Sequence, residues 1–375
     1  MTTPSIVAPT TARTPIFEGV QALRFVAALL VVLTHSRFYA REHLDASLSV
    51  WGGGAAGVDL FFIVSGFVMT VTAAPFEVSG GWRFFAVRRL IRIVPMYWIA
   101  TTLMILSIVV VPGAARQAGL TPWSVVASYL FLPVRNPSGD VAPVLGVGWT
   151  LVFEMAFYVV FTVGLLLRRD VLVFTSAIMI VVASGQLLRT GDDWPAWAFY
   201  FDQIVLYFVI GMVIGRIVLR RDPRRGLLLA LGVAVAVIVV GAVTSDGLSW
   251  QHDGLARKGI VTAVFLVVLL AEPLVRRLGR HPLADRLVRR PLLRLGDASY
   301  SLYLFHPLIG PAVPAALAFL GLRSVAVSVV GSVLVSVVAG ALIHRLVERP
   351  ITRRLRGMRY AGLPASWSRE EGSAS

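Results

Sequence analysis

The sequence predicts an all-α fold, a polytopic membrane helix bundle of about ten transmembrane helices with both termini cytoplasmic. Three observations carry that prediction. Of the 375 residues 57% are hydrophobic and only 15% charged, with a mean hydropathy of +0.78, far from the values of a soluble domain. Apolar segments that span, or nearly span, a bilayer recur at about 19–38, 56–74, 93–112, 147–167, 171–188, 198–219, 226–244, 258–275, 299–320 and 324–346. Arginines gather on every second connection between them, as cytoplasmic loops do.

Taken in order, residues 1–16 are polar and rich in Pro and Thr, and are expected to form a disordered cytoplasmic tail. The first apolar segment, GVQALRFVAALLVVLTHSRF, carries Arg24 inside it and no small-residue cleavage pattern, so it does not read as a cleaved signal peptide. The connection after the second segment holds Arg83, Arg88, Arg89 and Arg92, and that after the fourth Arg168 and Arg169. The sixth is followed by Arg220, Arg221, Arg224 and Arg225, and the eighth by a run from Arg276 to Arg294. The other connections carry acids: Glu42 with Asp45, Asp140, Asp192 with Asp193, and Asp246 with Asp253. An error of one helix would break this alternation. In the loop at 113–146 the apolar piece SVVASYLFLPV suggests a short interfacial or re-entrant helix. A single transmembrane domain over 17–358 is expected, then a disordered cytoplasmic tail at 359–375 with no further soluble domain. No internal repeat is visible, which disfavours transporters built by duplication. The net charge of +15 is almost all arginine and lies in topology-setting runs, which argues against nucleic acid. With no cysteine there is neither a disulfide nor a thiolate site, and no metal is expected.

Ionisable groups inside spanning segments are costly and mark function by default. Arg24 and His35 are eleven residues apart, roughly three helical turns, so they share a face about 16 Å apart, with Ala27, Ala28 and Val31 between them. Arg24 alone also suits snorkelling to lipid phosphates, and His35 alone an interfacial position. Asp59, at the outer end of the second segment, is placed either to orient His35 as a general base or to cap its helix after the run GGGAAG. Glu154 lies about two turns into the fourth segment with no basic residue within a turn, so it takes a partner from another helix or is protonated. Arg89 and Arg92, three apart, match phosphate geometry; anchoring to anionic lipid is the other reading. Ser299, Tyr303 and His306 recur at i, i+4 and i+7, a stripe that either lines a pore or bonds helices together. Glu348, in VERP, is expected in an ion pair at the end of the last span.

The Arg24/His35 helix, GVDLFFIVSGF, RRLIRIVPMYW, WTLVFEMAFY, DASYSLYLFHP and VERP, in this order, resemble the acyltransferase family 3 membrane proteins over about residues 19–352. The resemblance implies a ten-helix inner-membrane enzyme that moves an acyl group, usually acetyl, from cytoplasmic acyl-CoA to a hydroxyl of a sugar or related acceptor. It also implies Arg24 and His35 as an essential pair, Arg89 and Arg92 as the cytoplasmic arginine motif, and Glu154 as the intramembrane acid. Thr150 stands where the family has a serine after the tryptophan of the fourth helix, and the hydroxyl is kept. The combined expectation has acyl-CoA phosphates on Arg89, Arg92 and Arg24 and the pantetheine arm running past Ala27, Ala28 and Val31. His35, oriented by Asp59 or Glu154, then removes a proton from the acceptor, a carbohydrate or a macrolide-type metabolite. The alternative is a transporter or flippase of a polar solute without acyl transfer.

Overall fold

The computed structural model describes residues 17–49, 51–78, 80–111, 120–189, 194–244 and 254–358; the two expected tails lie outside them. The chain folds as α1 Glu18–His43, α2 Ala56–Val71, α3 Gly81–Val110, α4 Pro122–Tyr129, α5 Trp149–Leu166, α6 Val171–Ser184 and α7 Leu206–Val218. It continues through α8 Pro223–Thr244, α9 Leu255–Leu270, α10 Glu272–Leu278, α11 Pro282–Ala284, α12 Arg290–Asp297, α13 Ser299–Ile309, α14 Ala312–Phe319, α15 Val325–Ile343 and α16 Arg349–Arg356. Among the described residues there is no strand beyond one isolated bridge, Arg135 to Val141.

Nine helical stretches of the described residues are long and apolar enough to cross a membrane. The expected crossing at 258–275 is the exception: α9 has 16 residues and runs into α10. At 1.5 Å per residue α9 is about 24 Å long, short of the hydrocarbon core, and it opens on Arg257 and Lys258, both buried. Pro95 falls within the third apolar segment without breaking it. It sits inside α3, a continuous helix of 30 residues that carries the arginine-rich stretch and the span together. The apolar piece before residue 130 is the short helix α4, whose N-terminus is closed by a reciprocal Thr121/Ser124 capping box.

The helices α1 and α2 form the centre. The first packs against α2, α12, α13 and α15, and the second also against α7 and α9. Small residues set these distances: a Cβ on Gly66 of α2 would stand 2.1 Å from the Phe208 carbonyl oxygen, and one on Gly57 2.2 Å from that of Ala27. The strip between Arg24 and His35 is therefore closed, with Ala27 and Ala28 fully buried in helix contacts. This corrects the expected course of a pantetheine arm along it. Where the backbones come this close, the core between α2, α5 and α7 is filled by aromatic rings, Phe157 stacking on Phe208 at 4.3 Å and Phe62 meeting Phe208 at 4.6 Å.

Candidate active site

A cavity of about 350 Å³ opens between α1, α2, α3, α5 and α13. The spacing of each helix explains what reaches it. Arg89 and Arg92 share one face of α3, Arg24 comes from α1, Ser65 and Thr72 from α2, Glu154 and Tyr158 from successive turns of α5, and Ser299, Tyr300 and Tyr303 from the first turns of α13. Three guanidinium groups against one carboxylate give the cavity a positive lining. Each arginine is held in place. The Arg89 guanidinium lies over the Phe85 and Tyr158 rings, at 5.4 and 5.8 Å, and its Nε is buried without a hydrogen-bond partner. That of Arg92 lies 6.0 Å over Tyr300 and 3.9 Å from Glu348, and Nη1 of Arg24 donates to Gln21 at 3.2 Å.

Glu154 finds its partners without a cation. One carboxylate oxygen accepts from Ser65 at 3.2 Å and from Tyr158 at 2.5 Å. Tyr158 sits four residues on, so its signal was in the sequence all along. Glu348 is more deeply placed than an exposed ion pair: it is 3% exposed, accepts from Ser301 at 2.6 Å, and lies 2.8 Å from Nδ1 of His344. A π turn, His344–Glu348, between α15 and α16 turns it inward, a local irregularity that often marks functional positions.

At the end of the cavity the Tyr303 hydroxyl meets Thr150 Oγ1 and the Val147 carbonyl oxygen, each at 2.9 Å. Beyond Tyr303 stand two histidines, His306 of α13 and His35 of α1, with ring centroids 4.9 Å apart. Nδ1 of His35 lies 2.9 Å from the Val31 carbonyl oxygen, which only accepts, so Nδ1 carries the hydrogen and Nε2 a lone pair.

The structure thus brings Arg24, Arg89, Arg92, Glu154, Ser299 and Tyr303 to one cavity, and pairs His35 with His306 behind it. The three-residue stripe of α13 divides: His306 does not line the cavity. Asp59 is corrected. It neither orients His35, whose ring bonds the Val31 carbonyl, nor caps α2 with its side chain; it is fully buried and accepts from Nε of Arg257 of α9 at 2.6 Å. The physical reason is that a carboxylate and a guanidinium buried in the same core each need the other. Nor does Glu154 reach His35, whose one hydrogen bond is to the backbone. Arg257 escaped sequence reasoning because it reads as the polar edge of an apolar segment, and Tyr300 because it follows the more conspicuous Ser299.

A family model described as an acyltransferase domain matches residues 17–345, a span that contains every one of these groups except Glu348. The chain belongs to this acyltransferase family. Its relatives include the exopolysaccharide production protein ExoZ of Rhizobium meliloti (strain 1021), 35% identical over 339 residues, 87% of this chain and 98% of that protein. The acyltransferase MdmB of Streptomyces mycarofaciens is 28% identical over 397 residues, 92% of this chain and 94% of that protein. The putative peptidoglycan O-acetyltransferase YrhL of Bacillus subtilis (strain 168) is 26% identical, with 91% of this chain matching 55% of that protein. An acyltransferase needs an acyl donor, and its membrane helices place the chain in a bilayer as a multi-pass protein.

Proposed function

We propose that this acyltransferase takes an acyl group, acetyl foremost, from cytoplasmic acyl-CoA and transfers it to a hydroxyl of a carbohydrate acceptor, from the bacterial cytoplasmic membrane. The observation that carries this reading is the convergence of Arg24, Arg89 and Arg92 on one cavity beside a single carboxylate. Phosphates suit such a lining, because guanidinium groups donate in a fixed fork and remain charged when buried. With the arginine-rich connections cytoplasmic, the cavity faces the compartment that supplies acyl-CoA. The donor's phosphates lie on the three arginines, and its thioester end points along the cavity towards Tyr303 and Thr150. His35, with Nε2 free, takes the proton from the acceptor hydroxyl as it attacks the thioester carbonyl. Glu154, bonded to Ser65 and Tyr158, limits excess positive charge among the arginines. Among the relatives, the name of ExoZ, an exopolysaccharide production protein, and its near-complete coverage favour a polysaccharide hydroxyl over a small metabolite.

Replacing Arg89 and Arg92 together by alanine tests the donor site. A charge-assisted hydrogen bond contributes about 1.5–3 kcal/mol, so the pair is expected to raise the KM for acetyl-CoA by about 100-fold or more while the protein still inserts. An unchanged KM reassigns both residues to lipid anchoring.

A further inference from the structure

His306 is a buried polar group that the cavity chemistry leaves unused. It is 1% exposed, three residues after Tyr303 on α13, its ring centroid 6.1 Å from that of Tyr303 and 4.9 Å from that of His35. Its Nδ1 lies 2.8 Å from the Tyr303 carbonyl oxygen and 3.3 Å from that of Leu302, so it carries the hydrogen and Nε2 a lone pair. That Nε2 is buried and has no hydrogen-bond partner, a state that in a native protein calls for a reason. His35 is arranged in the same way, with Nδ1 on the Val31 carbonyl. Each ring is tied through Nδ1 to its own helix. Each therefore turns Nε2 away from that helix, and the two rings meet edge to face where α1 and α13 pack.

We propose that His306 is a second catalytic imidazole, which relays to the leaving thiolate the proton that His35 removes from the acceptor hydroxyl. The proposal rests on the acyl-transfer reading above. The hydroxyl oxygen forms the new C–O bond and its proton goes to Nε2 of His35. The C–S bond breaks with its electron pair left on sulfur, and the proton passes through Nε2 of His306 to that sulfur. Both imidazoles end as they began, and the products are an ester and a free thiol. The order of groups matches this path: Tyr303 at the donor cavity, His306 behind it, His35 beyond.

Asparagine separates this role from helix packing, since its amide can donate to the backbone carbonyl as Nδ1 does but leaves no base at the Nε2 position. Membranes carrying wild type, His306→Asn, His35→Asn and the double variant are supplied with labelled acetyl-CoA, and base-labile O-acetyl ester is counted. His306→Asn is expected to lower turnover by about 100-fold or more, with the KM for acetyl-CoA and the melting temperature unchanged. The double variant is expected to be no slower than the slower single one, because both act on one proton. If His306→Asn does not accumulate, His306→Gln is measured in its place against the same expectation. Turnover within about 3-fold of wild type, or losses that multiply in the double variant, overturn the relay and leave acyl transfer standing. A wild type that transfers no label overturns both.

Discussion

At the scale of single residues, the proposed reaction rests on the tautomer of His35. A backbone carbonyl, and not a carboxylate, fixes the hydrogen on Nδ1 and leaves a lone pair on Nε2, the base of the proposed reaction. His35→Asn keeps a donor for Val31 and removes that base. Its turnover is expected to fall by about 100-fold or more at an unchanged KM for acetyl-CoA, and near-normal turnover sinks the role assigned to His35. Asp59, paired with Arg257, is expected to act through stability. Both it and Arg257 are out of contact with water, so Asp59→Ala leaves a guanidinium buried without its carboxylate and is expected to cost about 3–5 kcal/mol. Thermal melting in detergent checks this; a variant that melts like wild type but has lost transfer would return Asp59 to the active site.

At the scale of elements, the cavity depends on how the start of α1 is held. The backbone N–H groups of Glu18 and Gly19 donate to Glu272 of α10 at 3.0 and 2.8 Å, a carboxylate at a helix N-terminus supplied by another helix. Arg289 donates to Glu18 at 2.7 Å and to Asp285 at 2.6 Å, and Arg290 lies 2.6 Å from Asp285. The hydrogen bond from Arg289 holds the Asp285 carboxyl below its ordinary range, outside the spanning segments. A lowered folded value means that this contribution is present above the unfolded value, near pH 4, and is lost as pH falls through the folded one. The melting temperature is therefore expected to drop below about pH 4, and Asp285→Asn to drop less over the same window. Equal drops would take Asp285 out of the clasp. The Glu18 contacts are not visible in sequence, since Glu272 and Arg289 lie 254 and 271 residues away, whereas Asp285 and Arg289 are a local i, i+4 pair.

At the scale of the whole molecule, the helical bundle was legible because apolar length is a property of single segments, readable before any contact is known. The shared face of Arg89 and Arg92 was legible for the same reason, as was the helical stripe of Ser299 and Tyr303. What periodicity does not report is which neighbour a face meets. Asp59 and His35 stand near the same end of adjacent helices, yet Asp59 turns to α9, and His306 joins His35 instead. The segment 258–275 counted as a crossing on its apolar length, but α9 ends at Leu270 and gives way to α10, a break that apolar length does not report. The closure of the Ala27 strip depends on Gly57 of a different helix. What emerges is an arginine-lined cavity, the proposed donor site, with a histidine pair beyond Tyr303.

That polarity is tested most directly with sealed vesicles of each orientation and labelled acetyl-CoA, which does not cross the bilayer. Inverted vesicles are expected to form base-labile O-acetyl ester on saccharide, and right-side-out vesicles only after they are made permeable. Transfer by intact right-side-out vesicles, or no transfer by either, would contradict the account.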